Sequence, residues 1–462
     1  MLNQEQLESL LTLAMKSEAD FAEIFEEETN SEGISIANEN IEEAVRSLKA
    51  GAGIRLYKGT ESVYGYTNDM TMSALEDLVN ELRAAMGSRD EGRTVVLHPE
   101  EVKNNHPVKI DPLKAPLAQK TDLLERAVKT GFEQDERIVK MHASINSTVQ
   151  HVQISNSDGK LVNDTRTRTR MRVNAYAKEG DRMQSGSDAP GGSAGLEFYE
   201  SHTPEDMARE AVRLALVLLK AKPAPSGEMP VVIDNGFGGV IFHEACGHSL
   251  EATGVARNMS VFAGLKGKKI ANEKVTAIDD GTIPNAWGSQ NIDDEGNPQQ
   301  RRVLIENGVL NTYMVDQLNS RRMNHEITGS GRRESYRYEP TSRMSNTFIA
   351  PGTDKKDDMF KSIDFGLYAR RMGGGSVNPN TGEFNFTVLE GYLIENGKIT
   401  DPVIGAALIG SGADILMNID MVADNLERAQ GMCGSVSGSI PTDVGQPAIR
   451  VSRITVGGTA NE

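Results

Sequence analysis

Apolar residues recur at Leu7, Leu10, Leu11 and Ala14, the spacing of one helical face, and predict a helix over 4–17. Extended segments follow at 21–28 and 33–38, then a 51–57/62–67 pair joined through Lys58-Gly59 as a hairpin. Helical spacing returns over 72–86 and again over 121–132. Between them, 87–117 is polar and broken by Pro99, Pro107, Pro112 and Pro116, which predicts an irregular connection. Strands are expected at 139–147, 149–155 and 161–177, with Asp158-Gly159 as a turn. The Gly- and Ser-rich stretch 185–194 reads as a mobile loop. The segment 204–222 reads as a helix whose first turn carries Glu205 and Asp206, complementing the helix dipole.

That helix runs into Ala221-Lys222-Pro223-Ala224-Pro225, which cannot continue it, and the expected division falls there: 1–225 and 226–462. The second part opens on a strand at 230–234 and a helical segment at 238–252, after which short strands and Gly/Asn/Asp turns dominate. Leu304-Ile305-Glu306-Asn307-Gly308 and Leu393-Ile394-Glu395-Asn396-Gly397 are near copies, each with Asn-Gly between apolar residues. They read as two similar hairpins of one antiparallel sheet, since repeat architectures show three or more copies.

The chain has 462 residues, ample for sizeable cores without staples. Its formal charge of −17 argues against nonspecific attraction to nucleic acid or to an anionic membrane. Two cysteines, Cys246 and Cys433, exclude a disulfide scaffold and fit a reducing compartment. The first residues read as an amphipathic helix and not as a signal peptide, and no apolar run approaches the ~20 residues of a bilayer span. A cytoplasmic protein is expected.

The chemistry sits in Ile241-Phe242-His243-Glu244-Ala245-Cys246-Gly247-His248-Ser249-Leu250-Glu251. Histidines four apart on a regular helix lie about 40° apart and can share an ion. His243 and His248 are five apart, which opens the angle to about 140° on an ideal helix. A π-bulge would absorb the extra residue, and Gly247 is where the backbone yields most easily. Metal binding by both histidines, with an acid beside the first, outweighs the reading of two ordinary helix histidines.

A catalytic zinc site needs a third protein ligand. Cys433, flanked by Gly431 and Gly434, leads. Glu251 is an alternative ligand or a partner of His248, and His325 with Glu326 is a weaker candidate. Cys246 reads as a small buried apolar residue. Glu244 has the position of a general base. Arg332, Arg333, Tyr336 and Tyr338 form a polar cluster suited to an oxyanion or a peptide carboxylate, or equally to a solvated loop. Gly373–Gly375 would admit a substrate strand or form a plain loop.

The segment HEACGHSLEATG closely resembles the metal-binding helix of the TldD/PmbA metalloproteases. Asp279-Asp280-Gly281-Thr282, Asp293-Asp294-Glu295-Gly296, Thr328-Gly329-Ser330-Gly331-Arg332-Arg333-Glu334-Ser335-Tyr336, Arg343-Met344-Ser345-Asn346-Thr347 and Cys433-Gly434 follow in the family's order. The resemblance implies a TldD-type subunit holding zinc through His243, His248 and Cys433, with Glu244 as base. It implies an α+β chain: an N-terminal α/β domain with a mixed sheet, and a mainly antiparallel β domain carrying the metal-binding helix. It also implies hydrolysis of unfolded or extended peptides, in a homodimer or a heterodimer with a PmbA-like subunit. Competing expectations are a noncatalytic, partner-dependent peptide-binding or maturation subunit, and a zinc amidohydrolase acting on small amides.

Overall fold

The computed structural model of the chain describes residues 1–38, 40–378 and 381–459, and its architecture is α+β. Helix α1 (Gln4–Ala14) buries Leu7, Leu10, Leu11 and Ala14. It is capped by Asn3, whose side chain accepts from the Gln6 N–H while Gln6 reaches back to the Asn3 N–H. The strands that follow are long: β1 (Phe21–Ala37), β2 (Asn40–Lys58) and β3 (Glu61–Thr67). After α2 (Met72–Met86) and β4 (His98–Glu100) come α3 (Leu117–Gln134), β5 (Ile138–Asn156) and β6 (Lys160–Glu179).

These strands form one sheet in the order β3-β2-β1-β5-β6-β4. It is mixed only through the three residues of β4, which lie parallel to β6; every other ladder is antiparallel. Period-two alternation turns Ile34, Ile36, Met141, Ala143, Ile145, Met171 and Val173 toward α3 and α5 (Pro204–Lys220). Each of the isoleucine, methionine and valine side chains contributes ~1.5–3 kcal/mol by leaving water. The opposite face carries polar and basic residues of β6, among them Arg166 and Arg168, and meets the second half of the chain.

Most of the stretch 185–194 is strand and not loop. Strand β7 (Arg182–Asp188) and the short β8 (Gly191–Gly192) both pair with β6. The small residues are there for close packing: a Cβ on Gly186 would sit 2.1 Å from the Ala211 carbonyl oxygen of α5.

In the second half, five strands pair in a closed ring: Gly227–Ile233 with Phe365–Val377, then Glu383–Glu395, Ala407–Ser411, Ile449–Gly457 and back. The six-stranded sheet alongside includes the hairpin Glu427–Ser435/Gly438–Gln446. Asn307 and Asn396 have φ of 47° and 51°, and the glycines after them are also left-handed, as tight two-residue hairpin turns require. The two hairpins lie in different sheets, however, not in one. Their likeness comes from shared turn chemistry, which fixes a hairpin locally and leaves its neighbours open. No described helix is long and apolar enough to cross a membrane.

Candidate metal centre

The helical segment after strand Gly227–Ile233 is short and changes pitch. A 3₁₀ turn at Gly236–Gly239 leads into Val240–Phe242, then a π-turn at His243–Gly247 and a second 3₁₀ turn at His248–Leu250. Its apolar side is fixed by burial. Ile241, Phe242, Ala245, Cys246 and Leu250 join Phe384, Phe386 and Leu408 of the strand ring in one core. Those contacts turn His243, Glu244 and His248 to the other side.

The π-turn solves the spacing problem posed by the sequence. The His248 N–H donates to the His243 carbonyl, so the two histidines lie one wide turn apart. Gly247 lets the turn settle: a Cβ there would come within 2.3 Å of the Met344 sulfur.

Cys433 arrives from strand Glu427–Ser435, opposite Ile440. Its Sγ lies 3.1 Å from His243 Nε2 and 3.2 Å from His248 Nε2, and the three donor atoms fall within 4.8 Å of one another. A tetrahedral ion with bonds of ~2.0 Å to nitrogen and ~2.3 Å to sulfur would hold N and S about 3.5 Å apart. The donor set therefore fits zinc in both chemistry and spacing, and a mixed N/S set is what zinc favours.

Glu251 adopts the second of its two expected roles. Its Oε2 lies 3.1 Å from His248 Nδ1, which leaves Nε2 to face the site. Arg343 secures the sulfur strand. It donates to the Cys433 carbonyl at 2.5 Å, and to Ser437 Oγ and the Gly438 carbonyl at 3.0 Å each, pinning the hairpin turn. No spacing rule marks Arg343; its part depends on a contact 90 residues away.

Burial would raise the Cys433 thiol, but the two imidazoles outweigh it and bring the group down to about 3. Burial also disfavours the His248 cation, yet the Glu251 carboxylate and the sulfur hold its pKa well above the usual value. The Glu244 carboxylate is about a quarter exposed, with Oε2 3.6 Å from His248 Nε2. It borders the donor set on the side open to solvent.

The other candidates are elsewhere. The Cys246 thiol donates to the Gly412 carbonyl inside the core, and burial pushes its pKa up. His325 lies beside Thr312 and Lys266. Tyr336 packs under β2, against Gly51 and Gly53. Arg332 and Arg333 are buried between the two halves, not on a solvated loop. Gly373–Gly375 belongs to strand Phe365–Val377.

Family models decide the kinship. The PmbA/TldA metallopeptidase domain 1 matches residues 22–86, the central domain 110–219 and the C-terminal domain 226–458. The chain belongs to this family. It is 36% identical to a metalloprotease TldD homolog of Haemophilus influenzae, over 99% of this chain and 97% of that one. A Buchnera aphidicola protein of the same name is 35% identical over 95% and 93%. A protein named zinc metalloprotease TldD homolog, from Saccharolobus solfataricus, is 26% identical over 95% and 97%. Among solved structures, TldE from Thermococcus kodakarensis shares the fold at a TM-score of 0.76 and 20% identity, covering 98% of this chain and all of that one.

Proposed function

We propose that this chain is a cytoplasmic, zinc-dependent peptidase of the TldD type that hydrolyses peptide bonds in unfolded or extended segments. The observation that carries the reading is the convergence of His243 Nε2, His248 Nε2 and Cys433 Sγ beside the Glu244 carboxylate. His243, His248 and Cys433 would hold the metal, and three protein ligands leave a fourth position open. Zinc bound there would lower the pKa of water toward neutrality and polarise the scissile carbonyl.

The protein's own groups do the rest. Glu244 takes a proton from the attacking water and delivers it to the leaving amine, so the amine departs neutral. Glu251 keeps the His248 ring turned so that Nε2 faces the site. The core around Cys246 and Phe386 holds the helical segment still while the chemistry proceeds. The fold shared with TldE supports a partner as well, either a second copy or a PmbA-like chain.

The test is cleavage of an unstructured peptide by pure zinc-loaded protein, alone and mixed with a PmbA-like chain, compared with Glu244→Gln. Cleavage by the parent and none by the variant supports the proposal. Equal cleavage by both, or no cleavage under either condition, contradicts it.

A further inference from the structure

Where the polar face of the N-terminal sheet meets the second half of the chain, most buried cations are matched by acids. Arg166 Nη1 lies 2.5 Å from Asp294 Oδ1, and Arg333 Nη2 lies 2.7 Å from Glu23 Oε1. Arg55 sits between Glu23 and Glu295 at 3.0 and 2.8 Å. Two arginines break this pattern. Among the described residues no carboxylate lies within 4.0 Å of Arg168 or Arg332, although they are only 8% and 1% exposed.

Among the described residues their bonds go to main-chain carbonyls alone. Arg168 donates to Trp287 and Ser289, and Arg332 to Met344 and Pro441. Arg332 Nε, and Nε and Nη1 of the neighbouring Arg333, have no acceptor among the described residues. A buried guanidinium without a counter-charge is costly, and carbonyl dipoles repay only part of the cost. Burial accordingly pulls Arg168 down to about 9 and Arg332 down to about 10.

These side chains line a cavity of about 350 Å³. Arg166, Arg333 and Lys49 line it too, and among the described residues Glu334 is the only acid on its wall. Glu334 is already engaged, accepting from the Ser439 N–H at 2.8 Å. The cavity also abuts the strand that delivers the sulfur. Its wall includes Met432, which directly precedes Cys433, and Ile440, the cross-strand partner of Cys433.

We propose that this cavity is a subsite for a carboxylate of the peptide substrate, with Arg168 and Arg332 as its binding groups. The proposal rests on the peptidase reading and deepens it. Guanidinium forks match the two oxygens of a carboxylate, and such charge-assisted bonds are among the strongest a protein makes. A peptide offers this chemistry from its terminal α-carboxylate or from an Asp or Glu side chain.

The experiment uses full-length, zinc-loaded Glu244→Gln protein and calorimetric titration with three forms of one unstructured peptide. These are the free acid, the C-terminal amide, and the amide with glutamate as last residue. The free acid is expected to bind at least tenfold tighter than the plain amide. If the glutamate amide regains that tenfold, a side-chain carboxylate suffices; if it does not, the α-carboxylate is the group read. Adding Arg168→Met should erase the preference and Arg168→Lys should keep part of it. Should Arg168→Met fail to fold, acetate is the second probe, and it should weaken binding of the free acid but not of the amide. Equal affinity for all three peptides, or a preference that survives Arg168→Met unchanged, overturns the subsite. Failure of the peptidase reading would look different: no peptide cleaved by the parent protein, with the acid preference intact.

Discussion

The His248 amide donates its hydrogen bond to the His243 carbonyl, five residues back and not four. That one bond converts a spacing unsuited to a regular helix into a pair of imidazoles whose ring centroids lie 5.1 Å apart. The wide turn is held by packing on both sides: Ala245 and Cys246 in the core, Gly247 against Met344. Replacing Gly247 with alanine should therefore cost ~1–3 kcal/mol through overpacking. It should also lower bound zinc below one per chain, measured by elemental analysis beside a thermal melt. An unchanged melt and full zinc would show that the turn does not depend on this contact.

Glu244→Gln keeps the shape of the side chain and removes its basicity. Peptide cleavage should fall by ~10²–10⁴-fold, the usual worth of a general base. Zinc content should stay near the parent value. A variant with parental kcat would assign the proton transfer to another group.

Glu251→Gln probes orientation. With a weaker acceptor at His248 Nδ1, zinc affinity should drop ~10–100-fold. Competition with a chelator measures this directly. Cleavage at saturating zinc should recover most of its rate, because Glu251 acts through His248.

Glu27 makes a pH prediction away from the metal. Burial raises its carboxyl to about 7, with the Gln150 amide only partly offsetting the effect. The folded-state pKa lies above the unfolded one, so folding favours the protonated form. The stability it contributes is complete below about pH 4.5 and is lost as the pH rises through 7. Glu27→Gln should thus raise the melting temperature more at pH 8 than at pH 5. Equal shifts at the two pH values would contradict the assignment.

The sequence exposed the local chemistry better than the long-range contacts. The apolar positions of 4–14, 72–86 and 204–220 marked three helices because each carries its own period. The odd His243–His248 spacing itself pointed to a π-turn, since no regular helix could use it. Glu251 was legible as a neighbour of His248 for the same local reason, though not which role it would take. Arg343 was not, because its role depends on a strand far along the chain. Nor was the pairing of 185–194: glycine and serine mark mobility and close packing alike, and only the approach of α5 at Ala211 separates the two. The unmatched charges of Arg168 and Arg332 could not be read either, since charge balance is a property of the folded neighbourhood.

The central claim is that two imidazoles and one thiolate share a single ion. X-ray absorption at the zinc edge on pure protein tests it most directly. The account predicts one zinc per chain with a single sulfur at ~2.3 Å and nitrogen at ~2.0 Å. The sulfur signal should vanish in Cys433→Ala and persist in Cys246→Ala. A shell without sulfur in the parent protein, or a sulfur signal that survives Cys433→Ala, would contradict it.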